Sequence, residues 1–428
     1  IMKTIKYPGR ENWEELLKRP VQKKTNLEAV VTDVFNKVRK NGDSALRDFT
    51  KKFDGASLDH IQVSTEELKE AEASTPSELK NAIDNAIRNI FNFHKAQEAE
   101  EERVETQPGV ECWRKITPIE KVGLYIPGGT APLFSTVLML AIPAKIAGCK
   151  EIVLCTPPNK EGKINSAILY AAAAVGCTKI FKLGGIQAIG AMAYGTESVP
   201  SVYKIFGPGN QYVTAAKQLA SLDGVAIDMP AGPSEVLVYG DETGNPDFIA
   251  SDLLSQAEHG ADSQVIFVTC VESLIDEVKI AVEKQLNDLP RKEIASKALN
   301  NSTLILIKDE KEALELINDY GPEHLVIGAK NEELFIDGVT NAGSVFLGNY
   351  TPESAGDYAS GTNHTLPTNG YAKSYSGVSL DSYTKKITYQ KISKEGLQSL
   401  GPIIEVMAEA EELYAHKNAV TLRLKELS

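Results

Sequence analysis

Apolar positions recur every three or four residues through the first hundred residues and then give way to short unbroken runs, so helices are expected first and a mixed fold after them. In "NLEAVVTDVFNKVRKNG" apolar side chains stand at 30, 31, 34, 35 and 38, the face of a helix that stops at Asn41-Gly42. "STPSELKNAIDNAIRNIFNFHKAQEAEEE" predicts a second helix, with Thr75 as its cap, Pro76 at its first position and Glu78 placed to close a capping box. This region carries no strand signal.

From about residue 118 the pattern becomes strand, glycine turn, helix, strand: "KVGLYIPGG", "APLFSTVLMLAIPAKIAGC", "EIVLCTPP", "AILYAAAAVGC", "KIFKLGG", "IQAIGAMAYG", "VYKIFGPGN". A second set begins at "SEVLVYG" and continues through "SQVIFVTC", "STLILIKD", "HLVIGAK" and "AGSVFLGNY". Such alternation implies parallel, doubly wound sheets. The expected fold is α/β, with two incomplete Rossmann-like units between a helical N-terminal region and a helical C-terminal tail broken at Gly401-Pro402. The expected segments are 1–107, 108–233, 234–380 and 381–428.

Asp plus Glu outnumber Lys plus Arg by 58 to 45, a formal charge of −13 with no basic cluster, which disfavours nucleic acid. Five cysteines without a C-x-x-C pair, no apolar signal core and no uninterrupted apolar span point to a cytoplasmic chain without membrane contact.

The turns "IPGGTAP", "LGGIQ" and "FGPGN" each follow an apolar run and open a helix, leaving backbone N–H groups to face a phosphate. None is a G-x-G-x-x-G fingerprint, and a plain strand-to-helix turn explains any one of them; three together favour a nucleotide at the strand ends. Tyr125, Gln187 and Asn210 stand where they can serve it.

Of six histidines, His60 and His94 read as ordinary surface or core residues. Gln256 and His259 fall three apart on the last turn of a helix that Asn245 caps, Pro246 opens and Gly260 stops. That pair suits a divalent ion if another carboxylate and imidazole join it, although a histidine capping helix carbonyls explains it alone. Glu323-His324 in "GPEHL" offers two proton-transfer groups at a turn, or a plain surface turn. "TPESAGDYASGTNH" reads as a polar 14-residue loop carrying Glu353, Asp357 and His364. His416 follows Glu411 and Glu412 on an acidic helix, where an i,i+4 ion pair accounts for it. Cys149 and Cys155 flank a strand and read as buried, inert thiols.

Taken together, "GLYIPGGTAPLFSTVLMLAIPAKIAGC", "KIFGPGNQYVTAAK", "AIDMPAGPSEVLV", "SDLLSQAEHGADSQVI", "YGPEHL", "AGSVFLG", "PESAGDYASGTNHTLPT" and "AHKNAVTLR" resemble histidinol dehydrogenase from about residue 105 to 423. The resemblance implies oxidation of L-histidinol to L-histidine through the aldehyde, using two NAD+ and one water. It further implies one zinc ion per subunit, held by Gln256, His259, Asp357 and His416, which orients the substrate's imidazole and amino nitrogens. His324 would be the base of the alcohol step and Glu323 would activate water for the aldehyde step. Ser234, His364 and Glu411 match substrate contacts, as does His324, and Tyr125, Gln187 and Asn210 match NAD contacts. A homodimer with intertwined chains is implied, His416 reaching the partner's site. Three rival readings are a zinc hydrolase with a Glu323-activated water, an aldehyde dehydrogenase that uses a cysteine thiolate, and a non-catalytic binding module.

Overall fold

Unbroken apolar runs become central strands because helices cover both faces of a parallel sheet. Glu235–Gly240 and Gln264–Thr269 are buried at every position. Each buried Val, Leu, Ile or Phe there contributes roughly 1.5–3 kcal/mol. The structure is a computed structural model and describes residues 2–20, 27–128, 131–230 and 232–427.

The first parallel sheet has the spatial order Lys179–Lys182, Glu151–Thr156, Lys121–Tyr125, Lys204–Phe206, Ala226–Ile227. In chain order this reads third, second, first, fourth, fifth, so the winding reverses between Lys121–Tyr125 and Lys204–Phe206, where a doubly wound sheet opens a ligand crevice. The second sheet repeats that order as Thr303–Leu306, Gln264–Thr269, Glu235–Gly240, His324–Gly328, Ser344–Leu347. Its reversal lies between Glu235–Gly240 and His324–Gly328.

A sixth strand, Lys3–Lys6, joins the second sheet beside Thr303–Leu306, although the first hundred residues carry no strand signal. Its sequence, KTIK, holds one apolar residue, and only backbone pairing at an open edge makes it a strand. Helix is otherwise the rule in this region. Leu27–Phe53 is helical on both sides of Gly42, whose φ of 53° marks the expected stop, and a new helix starts at once. Helix Ser77–Lys95 starts one place later than expected, with Pro76 at its N-cap, because the Thr75 hydroxyl donates instead to the Ala71 carbonyl of the preceding helix at 2.7 Å.

The chain divides into two compact units, one made of Ile1–Gln97 with Ile119–Tyr383 and the other of Glu98–Pro118 with Thr384–Ser428. Both parallel sheets belong to the first. The second unit is a three-stranded antiparallel sheet, ordered Thr384–Ile392, Val110–Pro118, Arg103–Gln107, with helices Lys394–Ala410 and Tyr414–Leu427. The expected break at Gly401-Pro402 does not occur. The first of these helices runs through Pro402, and Gly401 meets Leu424 of the second helix with no room for a side chain between them. The break falls at Glu411–Leu413, where Glu412 takes a φ of 59°. Among the described residues no helix is long and apolar enough to cross a membrane.

Candidate functional site

Gly321, at φ 62°, ends the helix Glu310–Tyr320, and Pro322 turns the chain so that Glu323 and His324 arrive at the start of a central strand. Both side chains are buried. The Glu235 peptide on the neighbouring strand gathers the group. Its N–H donates to Glu323 Oε2 at 2.9 Å, while its carbonyl oxygen lies 3.2 Å from Gln256 Nε2 and 3.1 Å from His324 Nδ1. The Glu235 carboxylate is pinned in turn by Arg19, whose Nε and Nη2 donate to its two oxygens at 2.5 and 2.8 Å. The guanidinium lies 4.0 Å from the centre of the Tyr320 ring.

Gln256 comes from helix Pro246–Ala257, which Asn245 caps through the N–H groups of Asp247 and Phe248. That helix ends at Ala257, so His259 stands in the turn beyond it rather than on its last turn, its N–H on the Gln256 carbonyl at 3.2 Å. The tightening is the i→i+3 closure common at helix ends.

The expected 14-residue loop contains a short helix, Glu353–Tyr358. Pro352 precedes it, and Asp252 of another helix accepts the Glu353 N–H at 3.2 Å, a cap that no local spacing reveals. The i,i+4 spacing then puts both carboxylates on one face: Glu353 Oε1 and Asp357 Oδ1 each lie 3.6 Å from His324 Nε2. Ser255 donates to the other Glu353 oxygen at 2.7 Å. His364 rests with Nδ1 2.9 Å from the Asp357 carbonyl oxygen and Nε2 3.1 Å from the Thr136 hydroxyl.

Burial opposes charge throughout this group, and neighbouring charges decide where it settles. For His324, burial favours the neutral ring, but Glu323, Asp357 and Glu353 outweigh it and raise its pKa well above the ordinary imidazole value. Asp357 is held far below the carboxylate range: burial is overcome by the His324 ring 3.6 Å away, with His364 and His259 adding. Glu353 goes up instead, because burial and the charge of Asp357 exceed the attraction of His324.

Three buried polar atoms here have no hydrogen-bond partner: Gln256 Oε1, His324 Nε2 and Glu353 Oε1. Unpartnered buried polar atoms are costly and call for a ligand. The ligating atoms of His324, Glu353 and Asp357 lie within 4.8 Å of one another. Oxygen donors, imidazole and net negative charge in one pocket fit a divalent cation.

A cleft of about 860 Å³ opens at the first sheet, and Tyr125, Gln187 and Asn210 all line it. Its helix-end amides are less free than the glycine turns suggest. The Gly185 N–H donates to the Tyr125 hydroxyl at 3.0 Å, and Asn210 accepts from the N–H groups of Tyr212 and Val213. Gly129 and Thr130 of the first turn lie outside the described residues. The third turn is braced from below by Lys217, which donates to the Gly207 carbonyl at 2.8 Å and pairs with Asp228. Burial pushes the Tyr125 phenol up to about 12, so it stays a neutral hydroxyl. Gln187 is 1% exposed, and neither of its amide atoms has a partner. A cleft of this volume with an unpartnered carboxamide at a topological switch point fits a dinucleotide.

A sequence model of the histidinol dehydrogenase family matches residues 17–424. The chain belongs to the histidinol dehydrogenase family. It is 63% identical over 426 residues to histidinol dehydrogenase of Bacteroides fragilis, covering 100% of each chain. It is 54% identical over 420 residues to that of Escherichia coli K12, covering 97% of this chain and 96% of the other. The crystal structure of histidinol dehydrogenase from Elizabethkingia anophelis superposes with a TM-score of 0.98 at 58% identity, covering 100% of this chain and 98% of that one.

Of the positions that the likeness to histidinol dehydrogenase singles out, Gln256, Glu323 and His324, all buried, come together with half-buried Asp357 and His364. His259 is exposed, in the turn after the helix that carries Gln256. Ser234 immediately precedes Glu235, and its carbonyl accepts the Gln264 N–H at 3.1 Å. Glu411 and His416 belong to the second unit and are exposed. They do not share one continuous helix, since the backbone reverses at Glu412, so the i,i+4 pair of Glu412 with His416 is not formed as expected. Sequence reasoning passed over Arg19 and Glu235. The one available signal was an acid opening the apolar run "SEVLVYG".

Proposed function

We propose that the chain oxidises L-histidinol to L-histidine through L-histidinal by two hydride transfers to NAD+, with zinc bound. The observation that carries this is the buried His324 group, with unpartnered Gln256 Oε1 and His324 Nε2 beside Asp357, in a chain of this family. Zinc would be held by Gln256, His259 and Asp357, with His416 supplied by a second copy in a homodimer. When bound, the ion supplies positive charge that orients the substrate's imidazole and amino nitrogens and offsets the carboxylates around His324.

His324 keeps Nδ1 against the Glu235 carbonyl, and with the carboxylates that favour its charged form offset by a bound cation, Nε2 is left to take the hydroxyl proton while hydride leaves carbon for NAD+. Glu323, steadied by the Glu235 N–H, draws a proton from water as that water adds to the aldehyde, and hydride departs from the resulting hydrate. Ser234, His364 and Glu411 contact the substrate. Tyr125, Gln187 and Asn210 hold NAD. A cytoplasmic setting suits five cysteines that are all free thiols.

The thiolate rival loses its nucleophile, because burial pushes Cys149 up to about 12 and Cys155 higher still. Purified protein with zinc and L-histidinol should yield two NADH per histidine, and only when NAD+ is present. Histidinol-independent hydrolysis without NADH would favour the zinc hydrolase and overturn the proposal.

A further inference from the structure

Asp54 follows the helix Leu27–Phe53 and lines the same cleft as Tyr125, Gln187 and Asn210. Its Oδ2 is buried with no hydrogen-bond partner among the described residues. Among the described residues no cation balances it. Among the described lining residues the one basic side chain is Lys163, whose ammonium stands 4.0 Å from the Glu70 carboxylate. Asp54 Oδ1 sits against Gly184, at 3.3 Å from where a β-carbon would be, so the carboxylate faces the glycine turn of the cleft directly.

The inventory of unmet hydrogen bonds defines what this part of the cleft accepts. Three of the helix-end donors that could hold a phosphate are in use: the Gly185 N–H by Tyr125, and those of Tyr212 and Val213 by Asn210. Among the buried side-chain atoms of the described residues lining the cleft, those without a partner are an anionic acceptor at Asp54 and the carboxamide of Gln187. A phosphate beside Asp54 would meet like charge, whereas a vicinal diol would supply the O–H donors that the carboxylate lacks.

We infer that Asp54 accepts hydrogen bonds from the adenosine ribose diol of the dinucleotide and rejects a 2′-phosphate there, which makes it the determinant of NAD+ over NADP+. This rests on the dinucleotide reading of the cleft. An acid that reads the ribose 2′-hydroxyl is the usual solution in doubly wound dinucleotide sites, where it follows the second strand of the unit. Here it comes from a helix that precedes the sheet in the chain, so no fingerprint spacing marks it.

The test compares dissociation constants for NAD+ and NADP+ on zinc-loaded protein, without histidinol, for the parent, Asp54→Asn and Asp54→Ser. The parent should prefer NAD+ strongly. Both variants should lose about tenfold or more in NAD+ affinity and gain in NADP+ affinity, as expected when a desolvated like charge is removed. Thermal unfolding of the variants, expected at or above the parent's temperature, separates lost recognition from lost folding. If either folded variant keeps the parent's preference, the role of Asp54 is refuted while the dinucleotide reading stands. If the parent binds neither dinucleotide, both fall.

Discussion

Gln256 Nε2 lies 2.8 Å from His324 Nδ1, and both atoms also face the carbonyl oxygen of Glu235. A proposed zinc ligand and the proposed base therefore share one backbone anchor, yet loss of the metal and loss of the base should be separable. His259→Ala should lose zinc and activity together. His324→Ala should keep zinc and slow the alcohol step by ~100-fold or more, as for a lost general base. Metal analysis beside single-turnover rates checks the split, and parallel loss of metal in both variants would contradict it.

Glu323→Gln isolates the second step. The amide oxygen can still accept the Glu235 N–H that now bonds to Glu323 Oε2, so the local geometry survives while the base is gone. Alcohol oxidation should remain near the parental rate and aldehyde oxidation should fall by ~100-fold or more. Supplying L-histidinal directly measures the second rate alone; equal damage to both steps would refute the division.

Arg19→Ala should destabilise the protein by about 3–5 kcal/mol, because it leaves a buried Glu235 carboxylate without its partner. Arg19→Lys keeps the charge but not the two-pronged contact, and should fall between the two. Denaturant unfolding reads both. A lysine variant no better than alanine would show that charge is not what matters at this pair.

Asp54 gives a pH signature. Burial raises its carboxyl from 3.8 to about 6, so the folded chain binds this proton more tightly than the unfolded chain. The resulting stability is full below the unfolded value and is lost as pH rises through about 6. Asp54→Asn should thus unfold at a higher temperature than the parent at about pH 7.5, with the gap narrowing towards about pH 5. The effect will be modest, since the carboxylate is partly solvated. A gap independent of pH would assign the gain to something other than ionisation.

Cys149→Ala and Cys155→Ala should each retain activity. Cys155 is fully buried on a central strand, so its loss should cost about 1 kcal/mol in stability without affecting turnover. Steady-state rates with histidinol decide it.

Patterning alone located the strands of both parallel sheets except Ala226–Ile227 and the edge strand Lys3–Lys6, because runs such as "EVLVYG" and "VIFVTC" are too apolar and β-branched for any place but a covered sheet. It also found the Asn245 cap and the candidate residues themselves. It missed the helix Glu353–Tyr358, whose cap comes from Asp252, about a hundred residues away in the chain. It placed the C-terminal break at a proline, where packing of Gly401 against Leu424 carries the helix onward.

The sequence by itself determined the α/β class, the acidic surface and the set of residue types that can bind a cation and move protons, because period and composition are local properties. Only the tertiary structure decided that His324, Asp357, Gln256 and Glu323 meet at the amino ends of the second sheet's strands, opposite the edge where winding order would look for a site. Strand pairing of His324 with Val236, next to Glu235, sets that convergence, and a register between segments nearly ninety residues apart is fixed by packing rather than by either segment alone.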